Sequence, residues 1–213
     1  MSLRRTVGLI LSFLAITTGG SLFAAPGGLD LTFDTDGKVT TDYRTNLNTS
    51  EQNIANAVAI QSDGKIVVAG TIGNFDIENR EFGVARYNTD GSLDTSFDSD
   101  GKATPLDPGA SGTDSLVYAV AIQSDGKIVV VGASRSDATN WQFAVVRYNS
   151  NGSLDTTFDS DGVQIVDFGT TANDQAFAVA IQSDGKILVA GKNEKGESPW
   201  SDFALIRLNT NGS

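Results

Sequence analysis

The chain has no cysteine and no histidine. Disulfide frameworks, thiol nucleophiles, Cys/His zinc sites and histidine-based acid–base catalysis are thereby excluded. Proline is scarce, at 4 of 213 residues, and helical periodicity of any length is absent. Basic residues are also few: 15 Lys and Arg stand against 26 Asp and Glu, a net charge of −11. Such a surface repels nucleic acid and anionic membranes, so neither is expected as a partner, although it could attract divalent cations. Glycine, by contrast, is abundant at 23 residues, which suits tight turns between short strands. The hydrophobic fraction of 39% suffices for a core.

Acidic residues are missing from the first 29 positions. Arg4-Arg5, an apolar run from Val7 to Ile16, and a small, polar stretch from Thr17 to Ala25 read as a secretory signal peptide over residues 1–25. Leu22 or Phe23 would stand three residues before the cut, where a small residue is preferred. The uncharged stretch Thr6–Leu29 is also long enough to span a bilayer uncleaved, but Gly8, Gly19 and Gly20 dilute it. Cleavage would leave residues 26–213 with 13 bases against 26 acids, a net of −13, and no stable membrane span. The expected location is secreted, periplasmic or cell-surface.

What is present is a repeat. Ala57-Val58-Ala59-Ile60-Gln61-Ser62-Asp63-Gly64-Lys65-Ile66-Val67-Val68-Ala69-Gly70 returns nearly unchanged at Ala119–Gly132 and Ala178–Gly191, with start-to-start spacings of 62 and 59 residues. A fold built this way is read from its unit. Residues 57–61 form a first strand, Ser62-Asp63-Gly64-Lys65 a hairpin turn, and Ile66–Ala69 a second strand. The second strand is a continuous apolar run, as expected of one buried on both faces. Phe82–Asn88 forms a third strand, repeated at Phe143–Asn149 and Phe203–Asn209. A turn and a conserved-spacing loop follow: Leu93-Asp94-Thr95-Ser96-Phe97-Asp98-Ser99-Asp100-Gly101 matches residues 154–162 and, ahead of the first unit, residues 29–37. Short fourth strands are expected at Lys38–Asp42, Lys102–Leu106 and Val163–Phe168.

Four short antiparallel strands per unit of about 60 residues, repeated in series, predict an all-β, β-propeller-like array of four-stranded blades, with units near 29–92, 93–153 and 154–213. A β-sandwich is the alternative, but it does not require three near-identical units. In such a meander successive turns alternate between the two rims. The turns after the first and third strands therefore share one face, and these are nearly identical between units. The other face carries 44–56, 71–81, 105–118, 133–142, 169–177 and 192–202, which differ between units. A ligand site, if there is one, belongs on that individualised face.

These motifs, AVAIQSDGKIVVAG followed by F-x-V-x-R-Y-N and D/N-G-S-L-D-x-x-F-D-x-D-G, resemble the delta-60 repeat family over residues 29–213. The resemblance implies an exported bacterial protein with a propeller-like array, and implies no catalytic residues. The chain departs from that pattern in being short. Three units are few for a closed ring. The last unit stops at Asn211-Gly212-Ser213 and the first opens at Gly28-Leu29-Asp30, where the motif would resume. Two readings stay open: an array that is part of a longer protein, with Lys38–Asp42 as a closing strand, or several chains assembling as a homo-oligomer.

Recurring side chains suggest chemistry. Arg86 and Arg147 lie in apolar strands and are expected to pair with Asp94 or Asp98 and with Asp155 or Asp159, because buried charges need partners. Arg207 recurs at the same place in the third unit. Leu93 with Phe97, and Leu154 with Phe158, are expected to anchor their loops. The pairs Asp34/Asp36, Asp98/Asp100 and Asp159/Asp161 could hold Ca²⁺, or could cap backbone N–H groups in Asx turns; the EF-hand pattern is not met. Phe75, Trp141 and Trp200 fall in the loops of the individualised face, where aromatics stack on sugars, anchor protein partners or pack locally. Asp76, Glu78, Glu81, Glu194 and Glu197 fall there too, without specifying a glycosidase pair. No catalytic, cofactor or metal residue is assigned. The expectation is a non-catalytic exported repeat module for surface interaction or scaffolding, with an unknown protein or glycan as partner. A calcium-stabilised or carbohydrate-binding propeller is the first alternative, and an acidic-residue hydrolase the second.

Overall fold

The computed structural model of the chain describes residues 27–43, 51–76, 79–103, 106–109, 114–135, 140–169, 173–194 and 200–213. Within these, β1 (Glu51–Ile60), β2 (Ile66–Asn74) and β3 (Asn79–Tyr87) form one antiparallel sheet. The second sheet holds β4 (Ser115–Ile122), β5 (Ile128–Arg135), β6 (Trp141–Tyr148) and β7 (Val163–Val166), and the third holds β8 (Asp174–Ile181), β9 (Ile187–Glu194) and β10 (Ser201–Leu208). Strand order in each sheet follows chain order.

The β-branched runs explain the stacking. Along β2, Val67 and Ala69 point with Phe82 and Val84 of β3 toward the second sheet, where they meet Val117, Ile128 and Val130 in one core cluster. The alternate residues of the middle sheet, Val129, Val131, Phe143 and Val145, meet Ala176, Ile187 and Val189 of the third sheet in a second cluster. The middle sheet thus buries both faces and the third sheet one; the first sheet buries the face toward the middle sheet and, beside residues 39–43, also Ile72, Ala85 and Tyr87 of its other face.

Two expectations are corrected. First, among the described residues a fourth strand forms only in the middle sheet, as β7. Residues 102 and 106 make isolated bridges to Ala85 and Phe82, and residues 38–42 are in no strand. Residues 104 and 105 lie outside the described residues, and residues 38–42 precede every third strand with which they could pair within a unit. Second, the strands run well into the stretches read as loops: β2 reaches Asn74, β3 begins at Asn79, and β1 begins at Glu51. Hairpin pairing from Ile66↔Tyr87 out to Asn74↔Asn79 outweighs the irregular sequence there.

Each first strand also carries one extra residue. The register with the second strand shifts at Ala55/Ala57, Val117/Ala119 and Ala176/Ala178. Gly70, Gly132 and Gly191, which close the signature, sit opposite these bulges. A Cβ at Gly132 would lie 1.8 Å from the Leu116 carbonyl oxygen and 3.0 Å from the Phe82 ring; at Gly191 the distances are 1.9 Å to Gln175 O and 2.8 Å to the Phe143 ring. The glycine therefore admits both the bulge and the aromatic ring of the preceding sheet.

Candidate functional site

On the repeated face, each Ser-Asp-Gly-Lys turn closes in the same way: Gln61 N donates to Lys65 O at 2.8 Å, and Gln123 N and Gln182 N to Lys127 O and Lys186 O at 2.9 Å. Gly64, Gly126 and Gly185 take φ of 84°, 84° and 81°, as the reversal requires. Below the turns, Arg86 Nε donates to Asp94 Oδ2 at 2.7 Å, and Arg147 Nε to Asp155 Oδ2 at 2.7 Å. Of the two partners expected for each arginine, the nearer in sequence is the one engaged. Lys65 and Lys127 reach the same oxygens at 2.9 and 2.8 Å. Both arginines also donate to a turn carbonyl of the next unit, Ser150 O and Thr210 O, each at 2.5 Å. Each stacks over the phenylalanine of its loop, Phe97 at 4.7 Å and Phe158 at 4.5 Å. Burial opposes ionisation of Asp94, but hydrogen bonds from Ser96 and Lys65 and the charge of Arg86 outweigh it and hold the carboxyl well below the usual carboxylate range. Asp155 is held low in the same way, by Lys127, Thr157 and Arg147 against its burial.

The acidic pairs serve the turns. Asp36, Asp100 and Asp161 accept from the N–H of Lys38, Lys102 and Val163 at 3.0, 2.9 and 2.9 Å. The backbone N–H groups of Asp34, Asp98 and Asp159 reach the next turn, at Asp90 O, Asn151 O and Asn211 O, over 2.7, 2.7 and 2.8 Å. Asp98 and Ser99 adopt successive left-handed conformations, φ 44° and 72°, to bring the loop round. Among the described residues no group of three or more carboxylates is placed to hold a metal ion.

The three turns also border an open cavity of about 950 Å³ lined by Gln61, Gln123 and Gln182. Its glutamines are partly spent on structure: the Nε2 groups of Gln61 and Gln123 donate to Gly126 O and Gly185 O, each at 3.4 Å.

The individualised rim is different. Trp141 is the first residue of β6, not a loop residue as expected, while Phe75 directly follows β2 and Trp200 directly precedes β10. Arg135 lies over the Trp141 ring at 4.8 Å, and Arg80 lies 6.0 Å from that ring and 5.1 Å from Phe75. Both arginines converge on Asp114, which is 1% exposed: Arg80 Nε donates to Oδ1 at 2.5 Å and Arg135 Nη2 to Oδ2 at 3.0 Å. This pocket of two cations, one buried carboxylate and two aromatics joins the first and second sheets. Sequence reasoning missed Arg80, Asp114 and Arg135, because they come from different units at positions that do not repeat. Trp200, in contrast, is 77% exposed.

The rim carboxylates do not share one environment. Glu194 is ion-paired to Lys192 and accepts from Asn173 Nδ2 at 3.3 Å; the lysine bond holds its carboxyl low. Burial, aided by Asp107 and Glu51, pushes Glu81 up. Asp76 N donates to Asn74 Oδ1 at 2.9 Å. Glu78 and Glu197 lie outside the described residues.

Residues 61–97, 123–158 and 182–213 each match the model of a family described as "Domain of unknown function (DUF5122) beta-propeller". The chain carries three β-propeller repeats. Each match begins at the glutamine of the shared turn and takes in the following hairpin, and the first two take in an Arg–Asp pair as well. No curated protein matches the sequence. Among solved structures, the propeller array is similar to an endo-arabinase from Bacteroides thetaiotaomicron VPI-5482, with 11% identity, a TM-score of 0.43, and coverage of 74% of this chain and 56% of that one. It is also similar to an exo-1,5-alpha-L-arabinanase from a bovine ruminal metagenomic library, with 12% identity, a TM-score of 0.38, and coverage of 76% and 56%. The chain thus matches little more than half the length of either, and neither likeness bears on its activity.

Proposed function

We propose that the chain is a non-catalytic, exported propeller module for surface interaction or scaffolding, which engages its partner through the individualised rim. The observation that supports this is the contrast between the two faces. One repeats the same turn and ion pair, while the other presents Trp141 among Arg80, Arg135 and Asp114, and Trp200 nearly bare. Aromatic and arginine side chains in this setting are typical anchors for a partner. Export rests on the leader read at residues 1–25, which lies outside the described residues, and it agrees with the delta-60 resemblance. Among the described residues no helix is long and apolar enough to cross a membrane.

A carbohydrate-binding reading is favoured by one feature, the exposed ring of Trp200, which is free to stack on a sugar face. The two tryptophans are the only ones in the chain, so intrinsic fluorescence reports on the rim alone. Titration with a panel of soluble oligosaccharides should shift that emission if the ligand is a glycan, and Trp200→Ala should abolish the shift. A silent glycan panel, with envelope binding that is lost in Trp200→Ala and Arg135→Ala, supports a protein partner. Binding unaffected by every rim substitution would overturn the proposal, and so would glycan turnover that disappears in Glu81→Gln.

A further inference from the structure

One position on the repeated face changes its side chain without changing its work. The turn after the third strand reads Asn88-Thr89-Asp90-Gly91-Ser92 in the first unit and Asn149-Ser150-Asn151-Gly152-Ser153 in the second. Asp90 Oδ1 accepts from Ser92 N at 3.0 Å and Ser92 Oγ at 2.6 Å; Asn151 Oδ1 accepts from Ser153 N at 3.1 Å and Ser153 Oγ at 2.8 Å. Gly91 and Gly152 take φ of 89° and 95°, and their N–H groups donate to Asn88 O and Asn149 O, each at 3.0 Å. Only the oxygen of the Asn151 carboxamide is used in this turn, so a carboxylate serves there equally well.

An asparagine followed by glycine carries its own reaction. Once Gly152 N has lost its proton to base, it attacks Asn151 Cγ. The Cγ–Nδ2 bond breaks, ammonia leaves with a proton, and a five-membered imide forms. Water then opens the imide at Cγ, leaving aspartate, or at the backbone carbonyl carbon, leaving iso-aspartate. In iso-aspartate the chain runs through the side chain and is one methylene longer. No oxidant or cofactor is consumed. A side chain on the following residue hinders the attack, and glycine has none.

The fold opposes this reaction at Asn151, although the residue is exposed. Gly152 N–H is committed to Asn149 O, and the carboxamide is turned toward Ser153. The backbone that must rotate is hemmed in: a Cβ on Gly152 would lie 2.9 Å from Asp98 N and 3.1 Å from the Phe97 ring. The same turn is where the first sheet grips the second. Asp98 N donates to Asn151 O at 2.7 Å, and Arg86 Nη1 to Ser150 O at 2.5 Å. Imide formation therefore requires the grip to open.

We propose that Asn151 is a self-modification site gated by the grip between the first and second sheets. While the grip is closed the asparagine persists, and each opening exposes it to deamidation by Gly152 N. The two products differ in consequence. Aspartate keeps the turn, because Asp90 already makes the same bonds, and its carbonyl oxygen takes Asp34 N at 2.7 Å just as Asn151 O takes Asp98 N. Iso-aspartate lengthens the chain between residue 151 and Gly152 and moves Gly152 from beneath Phe97, so the grip does not reclose. Every contact of this gate is made within residues 86–153, on the face opposite the individualised rim. It stands or falls independently of the rim's partner.

Ageing the full chain at mildly alkaline pH, folded and in urea, followed by peptide mapping, tests the gate. Asn151 should deamidate in urea and should do so at least roughly ten-fold more slowly in the folded chain, because only the opened fraction reacts. Arg86→Lys keeps the charge but loses the guanidinium nitrogen that reaches Ser150 O; it should speed the folded reaction several-fold and leave the rate in urea unchanged. The Asn151→Asp chain should melt within about 2 °C of the unaltered one. Chains refolded with iso-aspartate at position 151 should melt lower than the aspartate chain. The proposal is overturned by an Asn151 that stays intact in urea, by equal rates in the folded and unfolded chain, by a folded Arg86→Lys chain that ages no faster, or by aspartate and iso-aspartate chains that melt alike.

Discussion

The second and third repeats share almost every residue that builds them, yet they sit in different surroundings. Phe143 and Phe203 occupy the same place in the unit; the first is wholly buried and the second is 106% exposed. Arg147 is 4% exposed and held by Asp155, Thr210 O and Phe158, while Arg207 is exposed. The side chains are the same, so the difference lies in the neighbouring sheet. A repeat unit of this kind cannot bury its own apolar face, and its stability is shared with the next unit.

That comparison can be broken most sharply at the arginines. Arg147→Leu leaves Asp155 buried without its main partner and should cost about 3 kcal/mol, the low end of the range for a broken buried pair, because Lys127 still reaches Asp155. Arg207→Leu should change stability by no more than about 0.5 kcal/mol. Urea melts measure both, and equal losses would show that position in the array does not matter. Phe143→Ala should likewise cost about 3 kcal/mol, from lost burial and the cavity left beside Gly191. Phe203→Ala should be nearly silent under the same conditions.

A second contrast lies between carboxylates. Asp94 and Asp155 have folded-state values below their unfolded value of about 3.9. The stability they contribute is fully present above that value and is lost as pH falls through the folded one. The melting temperature should therefore hold down to about pH 5 and fall below about pH 4. The acid loss should be shallower in the Asp94→Asn, Asp155→Asn chain. Glu81 has the opposite sign. Burial raises it, so its ionised form costs stability at neutral pH, and Glu81→Gln should raise the melting temperature at pH 7 and change it less at pH 4. A drop at pH 7 would mean that Glu81 makes a favourable contact outweighing its burial.

The parts of the molecule that were legible in the sequence are those that repeat. The turn at Gly64, the Arg86–Asp94 pair and the Phe97 loop each recur at fixed spacing, and a charge that recurs within an apolar strand implies a recurring partner. The division into two faces followed from turn alternation alone. What was not legible depends on contacts between units. The bulges at residues 56, 118 and 177 leave no signal in residue type, since Asn, Tyr and Phe occupy them. The rim pocket needs Arg80 from one sheet and Asp114 from the approach to the next. The fourth strands misled because a β-like stretch such as 38–42 was read by itself, whereas a strand requires a partner edge.

The smallest effect concerns two tyrosines at equivalent places, Tyr87 and Tyr148. Tyr87 Oη shares a hydrogen bond with Thr41 Oγ1 across the first sheet's outer face, at 2.5 Å. Tyr148 Oη is buried between the first and second sheets with no protein partner, and burial pushes its phenol up. The third unit has Leu208 there, which packs without a hydroxyl. Removing an unpaired buried hydroxyl relieves a desolvation cost, whereas removing a paired one forfeits a bond. Tyr148→Phe should therefore be neutral or stabilising by up to about 1 kcal/mol, and Tyr87→Phe destabilising by about 1 kcal/mol. If Tyr148→Phe instead destabilises the chain, its hydroxyl has a partner in solution, and the two inner faces of the array are less alike than their sequences imply.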